Sequence, residues 1–286
     1  MIHGINIHKI YPWETWMYSA ITELVIDFVR VDLNWNEIEF ERGKWNPDFE
    51  NMINTFTAKN VQMFGTLAYT PSWLSDNHRN PPPISEWEKF IITICNYYKG
   101  SKLKYLGIWN EPDLKDFWTG TIEQYIELVK LTSDILRDNH FECVGPETSN
   151  VGIGNEYLER VLREVADKFD IISIHQYRST AGRTWDNVTG YDKKILCIKS
   201  HINGQKEIIR KYSDKPIWLT EFGFEAGEQA PIELKSFYEK SDNQIDATFL
   251  YHLRDFDTTS KQFGLMESTK YLHRNTYDIF KNRYGY

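Results

Sequence analysis

The feature that most constrains the fold of this chain is a short apolar β-type run followed by an amphipathic segment, repeated along its 286 residues. The eight predicted strands cover residues 2–7, 25–33, 61–68, 104–109, 142–146, 170–175, 216–221 and 247–253. Helical periodicity is clearest over residues 121–138, where Thr121 and Gln124 fit a capping box. Similar signals lie near 48–59, 86–98, 155–168, 191–212, 231–240 and 270–281. This alternation predicts parallel strands joined by crossover helices.

The length of the repeat selects between two architectures with parallel strands. Eight units of about 36 residues are the size expected of a closed (β/α)8 TIM barrel, so we predict one domain over residues 1–286. An open, doubly wound sheet usually carries a GxGxxG motif after its first strand, and this sequence has none. In a barrel, active residues lie at the carboxyl ends of the strands. The unusual side chains at those ends are Arg30, Asp32, Tyr69, Asn110, Glu111, Glu147, His175, Tyr177, Glu221 and His252.

The composition narrows the classes of protein to which the chain can belong. Acidic residues outnumber basic ones by 41 to 33, and the net charge of −8 argues against nucleic acid as a partner. No apolar run approaches the roughly 20 residues of a membrane span, so we expect no membrane partner. The first residues lack the pattern of a secretion signal, which leaves a cytoplasmic location and secretion after processing both open. Cys95, Cys143 and Cys197 lack zinc or disulfide spacing and are predicted to be buried thiols.

Two glutamates at predicted strand ends are candidates for acid–base chemistry. Glu111 follows an apolar run and Asn110, and apolar neighbours raise the pKa of a carboxyl group, which suits a general acid. The alternative for Glu111 is an acidic residue in the first turn of a helix. Glu221 ends the seventh predicted strand, where strict alternation places it on the same, inward face as Leu219. The alternative for Glu221 is a structural ion pair.

The pair of glutamates is more specific than either residue alone. Strands four and seven of an eight-stranded barrel lie nearly opposite each other, so carboxylates at their ends can converge over the barrel axis. Glycosidic cleavage requires two carboxylates facing one substrate, because one protonates the leaving oxygen while the other attacks or activates water. The predicted arrangement of Glu111 and Glu221 therefore fits glycosidic cleavage.

Six segments carry a resemblance to known enzymes. They are RVDLNWNEIEFERGKWN (30–46), YTPSWLS (69–75), GIWNEPDLKDFWTGT (107–121), FDIISIHQY (169–177), KPIWLTEFGF (215–224) and FGLMES (263–268). In this order they resemble the retaining glycoside hydrolases of clan A, nearest to glycoside hydrolase family 39 and the cellulase-like family 5. The resemblance implies a (β/α)8 barrel that cleaves β-glycosidic bonds of an oligosaccharide or polysaccharide, with Glu111 as acid/base and Glu221 as nucleophile.

The resemblance also implies roles for residues around the two glutamates. Asn110 would bind the 2-hydroxyl of the sugar, where hydrogen bonds strengthen toward the transition state. Arg30 would lie beside Glu221 and keep it ionised, and Tyr177 would steady the same carboxylate. His175 would border the sugar subsite. The alternatives are that Arg30 only neutralises Asp32 and that His175 is a hydrogen-bonded core histidine.

Aromatic residues are abundant, with 10 Trp, 17 Tyr and 16 Phe, and aromatic faces can stack on sugar rings. Candidate platforms in predicted loops after strands are Trp35, Tyr69, Trp73, Trp118 and Trp185, with core packing as the alternative for each. Trp109 lies within a predicted strand and is expected to be buried. Many clan members have Trp at the end of strand eight, whereas this chain has FLYHLRD (249–255). The platform there is therefore His252 or Tyr251, or it comes from a loop.

The function that these observations predict is a retaining β-glycosidase with a covalent glycosyl-enzyme intermediate and no metal or cofactor. Retention requires carboxyl groups about 5–5.5 Å apart, and inversion requires about 6.5–9.5 Å. Two alternatives stay open. One is a catalytically inactive carbohydrate-binding barrel. The other is a metal-dependent sugar isomerase-like barrel with Glu111, Asp113, His175 and Glu221 as ligands.

Overall fold

Eight parallel strands form one closed barrel in which each strand pairs with its sequence neighbours and the last pairs with the first. This computed structural model describes residues 2–11, 14–26, 28–149, 153–177, 201–240, 245–255, 262–267 and 273–283. The strands are β1 (Ile2–Ile7), β2 (Phe28–Asn34), β3 (Gln62–Ala68), β4 (Leu103–Ile108), β5 (Glu142–Thr148), β6 (Ile171–Tyr177), β7 (Ile217–Gly223) and β8 (Ala247–Leu250). The predicted (β/α)8 barrel is confirmed.

Helices surround the barrel. Within the described residues they are α1 (Thr15–Glu23), α2 (Trp35–Ile38), α3 (Pro47–Ala58), α4 (Ile84–Tyr98), α5 (Ile122–Asp138), α6 (Gly154–Val165), α7 (201–209), α8 (Ala230–Lys240) and α9 (Asn275–Lys281). The predicted capping box is present at α5, where Thr121 and Gln124 each accept a hydrogen bond from the other's backbone N–H. Helices α1 and α2 were not predicted. Within the described residues, no helix has the length and apolar character needed to cross a membrane.

Two apolar layers hold the barrel together. The outer layer fills the space between strands and helices, and its fully buried members include Val31 of β2, Phe56 of α3 and Ile91 of α4. The inner layer, drawn from strands, comprises Phe28, Phe64, Val144, Ile171, Trp218, Ala247 and Phe249, with Tyr105 packed against it. Each fully buried side chain of this size contributes about 1.5–3 kcal/mol. The inner layer closes the amino-terminal end of the barrel interior.

A buried polar layer lies directly above the inner apolar layer. Its members are each 2% exposed or less, and they are Asn6, Arg30, Thr66, Glu147, Ser173 and His175. Arg30 follows Phe28 by two residues and Thr66 follows Phe64 by two, so the period of the strand points them into the same interior. Buried charges are costly unless they are paired and hydrogen-bonded, so this layer must be internally satisfied.

Glu221 points inward for a different reason from the predicted one. Trp218 packs in the inner layer and Leu219 packs in the outer layer, so strict alternation would turn Glu221 outward. The pairing of β7 shifts register against β8 between Leu219 and Phe222, and against β6 at the Ile174–His175 step. This irregularity turns Glu221 into the barrel. The prediction that Glu221 shares a face with Leu219 is therefore wrong, although the predicted inward orientation of Glu221 is correct.

Candidate active site

The carboxyl ends of the strands enclose a cleft of about 370 Å³ above the polar layer. Its lining residues are His8, Asp32, Tyr69, Asn110, Glu111, Phe117, Tyr177, Glu221, Tyr251 and Phe263. They come from or follow seven of the eight strands, which is how barrels of this type build a site from distant parts of the sequence.

Glu111 and Glu221 meet in this cleft. An oxygen of each carboxyl group lies within 4.8 Å of the other. Both residues are nearly buried, with 8% and 7% of their surface exposed. The upper limit of 4.8 Å on the distance between two carboxyl oxygens is below the 6.5 Å or so at which an inverting pair begins, as expected for a retaining pair.

The carboxylate of Glu221 accepts a hydrogen bond at each oxygen. Arg30 Nη1 donates to Oε1 at 2.8 Å, and the Tyr177 hydroxyl donates to Oε2 at 2.5 Å. Burial and the neighbouring carboxylate raise the pKa of Tyr177 well above its ordinary value, so the hydroxyl keeps its proton and remains a donor. Hydrogen bonds of this kind to a charged group are strong and hold Glu221 in one orientation.

Arg30 is itself fixed by the polar layer. Its Nε and Nη2 donate to Glu147 Oε2 at 3.0 and 2.7 Å, and its Nη1 donates to Asn6 Oδ1 at 2.8 Å. Its Nη2 also donates to Asn110 Oδ1 at 2.9 Å. Because the amide oxygen of Asn110 is used in this way, its NH2 group is the part left for a ligand. Arg30 therefore orients both Glu221 and Asn110.

Glu147 is the buried centre of this arrangement. Besides Arg30, the hydroxyl of Thr66 donates to its carboxylate at 3.1 Å, and its backbone carbonyl accepts the N–H of Glu111 at 3.2 Å. A Cβ atom at Gly107 would lie 2.0 Å from Glu147 Oε1, so this carboxylate requires glycine on the neighbouring strand. The sequence identified Glu147 only as a strand-end residue. It did not indicate that Glu147 holds Arg30, which contacts Glu221, and also accepts the backbone N–H of Glu111.

His175 connects the two sides of the cleft. Its Nδ1 lies 3.0 Å from Glu111 Oε1 and 3.8 Å from Glu221 Oε2, and its Nε2 lies 3.6 Å from Glu147 Oε2. Burial alone would lower the pKa of His175, but the surrounding carboxylates raise it to about 10. His175 is therefore an imidazolium at neutral pH and donates from Nδ1 to Glu111.

Glu111 has the properties of a carboxylic acid that can hold its proton. Burial raises its pKa, and the hydrogen bond and charge of His175 offset this only in part. Because His175 donates to Oε1, the proton of Glu111 belongs on Oε2. Glu111 and Glu221 thus have different environments, one dominated by desolvation and the other by two donors.

The backbone is unusual at the strand ends that form the cleft. Tyr69, Trp109, Glu111 and Glu147 have φ values of 66°, 64°, 42° and 51°. Residues other than glycine rarely adopt this left-handed region of φ, and those that do cluster at functional sites. The turns after β3 and β4 and the bend within β5 direct these side chains toward the cleft or its supports.

Three of the predicted aromatic platforms are not part of the cleft lining. Trp35 and Trp118 are each 1% exposed and pack in the core, so we correct their assignment to substrate binding. Trp73 is half-buried, donates to the backbone carbonyl of Glu39 at 2.9 Å, and is not part of the cleft lining. Trp109 is fully buried, as expected. Trp185 lies outside the described residues.

The end of strand eight presents Tyr251 rather than His252 to the cleft. Tyr251 lines the cleft, whereas His252 is 2% exposed and stacks behind Tyr251 with ring centroids 4.2 Å apart. The placement of His252 at the sugar is corrected accordingly, because its ring has no exposed face. Tyr69, on the opposite side, lines the cleft as predicted.

Sequence reasoning missed several cleft residues. Phe117 and Phe263 come from loops, and no local pattern distinguishes them from packing residues. The sequence singled out Asp32 only as a strand-end residue and a possible partner of Arg30. His8 could have been found, because it follows β1 at a position that points inward.

Among the described residues, one group has the spacing to hold a metal ion. Atoms of Glu111, His175 and Glu221 lie within 4.8 Å of one another. Asp113, the fourth ligand of the isomerase alternative, is not part of it, because its carboxyl accepts hydrogen bonds from the N–H and hydroxyl of Ser149. The fixed charge of Arg30, 2.8 Å from Glu221, opposes a dication at this position.

Comparisons with known proteins agree with this fold and identify a family. The family model described as glycosyl hydrolases family 39 matches residues 69–240. A β-xylosidase of Caldicellulosiruptor saccharolyticus is 29% identical over 149 residues, which are 46% of this chain and 30% of that protein. The chain therefore spans less than a third of that relative.

Solved structures share the fold over nearly the whole chain. A family 39 glycoside hydrolase from Bacteroides cellulosilyticus WH2 superposes with a TM-score of 0.73 at 17% identity, covering 98% of this chain and 62% of that one. The exo-β-1,4-mannosidase Op5Man5 from Opitutaceae bacterium strain TAV5 superposes with a TM-score of 0.72 at 14% identity. The superposition covers 99% of this chain and 59% of that one. The family match extends over more than half of the chain and includes both glutamates of the cleft. This chain belongs to glycosyl hydrolases family 39.

Proposed function

We propose that the chain is a retaining β-glycosidase that acts on an oligosaccharide or polysaccharide, with Glu221 as nucleophile and Glu111 as acid/base. The observation that carries the proposal is the pair of carboxyl groups within 4.8 Å of each other in one cleft. Their different environments support two different roles. The family match supports the class of reaction.

In the first step, the two glutamates act on opposite sides of one bond. Glu111 gives its proton to the glycosidic oxygen while Glu221 attacks the anomeric carbon, and the leaving sugar departs as an alcohol. Arg30 and Tyr177 hold both oxygens of Glu221, so the attacking oxygen needs little reorientation. The product is a glycosyl ester of Glu221.

In the second step, Glu111 acts as a base. It takes a proton from water, the water oxygen attacks the anomeric carbon, and the ester bond to Glu221 breaks. His175 supports this half of the cycle, because its imidazolium stabilises the carboxylate form of Glu111. Two inversions at the same carbon give net retention.

Positions for the sugar follow from the same geometry. The NH2 group of Asn110, held by Arg30, is placed to bind the 2-hydroxyl beside the anomeric carbon. Tyr251 offers an aromatic surface at the end of strand eight, where stacking on the sugar ring is favourable. Tyr69 borders the opposite wall.

The test is kinetic analysis of two variants on aryl β-glycosides. We expect Glu221→Ala to lose at least about 10⁴-fold in kcat, because the covalent step is removed, and azide to restore turnover with an inverted product. We expect Glu111→Ala to spare substrates with good leaving groups, which need little protonation. Glu88→Ala, on the exposed face of α4, is the matched control and should behave like the unmodified protein.

Other outcomes would favour the alternatives. Near-normal activity of Glu221→Ala on a proven substrate, or an inverted first-formed anomer from the unmodified protein, would contradict the proposal. Glycan binding without hydrolysis over a broad panel would indicate a binding barrel. Loss of activity with a chelator would indicate the metal-dependent alternative.

A further inference from the structure

Asp32 is the carboxylate of the cleft that is most open to a ligand. It lies near the end of β2 and lines the same cleft as Glu111 and Glu221. Its side chain is 32% exposed, compared with 9% for Glu221. A carboxylate at this position has no part in the two chemical steps, so its charge needs another explanation.

Asp32 is held as a carboxylate by two partners. Arg30 Nη1 lies 3.6 Å from Oδ1, and His8 Nδ1 lies 3.4 Å from Oδ2. Burial alone would raise the pKa of Asp32, but the hydrogen bond of His8 and the charge of Arg30 lower it overall. Asp32 is therefore ionised across the neutral range.

His8 is oriented from behind by a chain of buried groups. Its Nε2 lies 2.8 Å from His252 Nδ1, and His252 Nε2 lies 3.4 Å from Asp255 Oδ1. Gly264 N donates to the same oxygen of Asp255 at 2.7 Å, and this hydrogen bond fixes Asp255, the last group of the series. Asp32 and His8 thus form a preorganised pair on adjacent strands.

The pair lies beside the sugar that Glu221 attacks. Arg30 Nη1 contacts Glu221 Oε1 at 2.8 Å and Asp32 Oδ1 at 3.6 Å, so both carboxylates face one pyranose-sized space. The leaving oxygen must face Glu111, after β4. The far carbons of the same ring therefore extend toward the ends of β1 and β2, where His8 and Asp32 lie.

We propose that Asp32, supported by His8, recognises ring hydroxyls of the glycon, the sugar whose anomeric carbon is attacked, and selects uncharged sugars over uronic acids. An ionised carboxylate accepts hydrogen bonds from hydroxyl groups and repels a second carboxylate in the same small space. Among the described lining residues there is no Lys or Arg to compensate a uronate. The inference rests on the proposed glycosidase function and names its substrate class.

The experiment compares matched substrates on matched variants. Aryl β-glucoside and β-glucuronide differ only at C6, as do the β-galactoside and β-galacturonide. We expect the unmodified protein to prefer the neutral member of a pair in kcat/KM by at least about 100-fold, and Asp32→Asn to reduce that ratio at least about tenfold. Asp134→Asn, an exposed carboxylate on α5, is the control and should leave the ratio unchanged.

A second arm tests recognition of hydroxyl groups. Asp32→Ala should lose at least about tenfold in kcat/KM on the parent glycoside and much less on its 3-deoxy or 4-deoxy analogue, because the partner hydroxyl is already absent. If Asp32 had a merely structural role, Asp32→Ala would lower kcat/KM equally on the parent glycoside and on the deoxy analogue. Circular dichroism and Tm establish that each variant is folded.

The outcomes separate the inference from the proposed function. If the unmodified protein hydrolyses neutral glycosides but Asp32→Asn leaves the neutral-to-uronate ratio unchanged, the inference is overturned and the glycosidase stands. An equal loss on parent and deoxy substrates also overturns the inference. If the unmodified protein hydrolyses no glycoside, both are overturned.

Discussion

At the scale of single residues, the chemistry of the cleft depends on how three buried carboxyl groups share two cations. Arg30 contacts Glu147 and Glu221, while His175 contacts Glu111 and approaches the other two. Neither cation serves one glutamate alone, so changing one charge changes the environment of several groups. The alternative for Arg30 was an ion pair with Asp32 only, but Arg30 also contacts Glu147 and Glu221. The alternative for His175 was a hydrogen-bonded core histidine, but His175 also contacts Glu111 of the cleft.

We expect His175→Gln to move the basic limb of the kcat/KM–pH profile to higher pH. The hydrogen bond and charge of His175 lower the pKa of Glu111, so removing the charge lets burial raise it further. The acid would then keep its proton to higher pH, while kcat falls because the base form is less stable. His273→Gln, an exposed histidine, is the control. A basic limb that stays in place or moves to lower pH would refute this role.

The same histidine affects stability in a defined pH range. Its folded-state pKa is raised to about 10 from an ordinary value of 6.5. Its contribution to the free energy of unfolding is therefore fully present below pH 6.5 and is lost as the pH rises through about 10. The difference in Tm between the unmodified protein and His175→Gln should shrink over that interval.

At the scale of elements, the site depends on close contacts between neighbouring strands. Strands β4 and β5 are the clearest case, because Gly107 leaves the space that the carboxylate of Glu147 fills. Glu147 in turn holds Arg30 and accepts the N–H of Glu111. A change in the packing of two strands is thereby transmitted to both candidate catalytic groups.

We expect Gly107→Ala to destabilise the protein by about 1–3 kcal/mol, the cost of overpacking a filled interior. Activity should also fall, because Glu147 must move and release Arg30. Urea unfolding and kcat/KM measure the two effects. Gly204→Ala is the matched control, since nothing lies within 4 Å of a Cβ there. Unchanged stability and activity of Gly107→Ala would contradict the tight fit.

Prediction of the elements succeeded where local signals are strong. The capping box of Thr121 and Gln124, followed by helical periodicity, predicted α5 almost to its ends. Helix α1 was missed because it has nine residues and no side-chain cap, so its apolar residues resemble a strand or loop. Strand β8 is shorter than predicted, ending at Leu250, because the chain leaves the sheet before Tyr251.

At the scale of the whole molecule, closure of the barrel couples the first strand to the last. Strand β1 pairs with both β2 and β8, so no described strand has a free edge. The polar layer adds a second connection, because Arg30 of β2 reaches Glu147 of β5 and Glu221 of β7. That residues 1–286 form a single domain remains a prediction, and this coupling supports it.

We expect thermal unfolding to occur in one transition, because opening any strand pair exposes the shared interior. Far-UV circular dichroism and tryptophan fluorescence should give coincident curves. A glycoside inhibitor that binds the cleft should raise the Tm of that one transition by mass action. Two separated transitions, or an inhibitor effect on only one of them, would contradict a single cooperative unit.

The sequence by itself determined the order of the eight strands and the location of Glu111 and Glu221 at the ends of two of them. These follow from periodicity along the chain and from the geometry of a closed eight-stranded barrel, which local residue patterns are sufficient to indicate. Their catalytic roles remain a proposal, while the family resemblance is confirmed.

Only the tertiary structure decided which individual side chains face the cleft. Trp35 entered the core, Tyr251 replaced His252 at the cleft, and Glu221 turned inward through a register shift. The bonds of Glu147 join residues that are 117 and 81 positions away in sequence. Local propensity carries no information about such contacts, because register and packing are settled between strands that are distant in the chain.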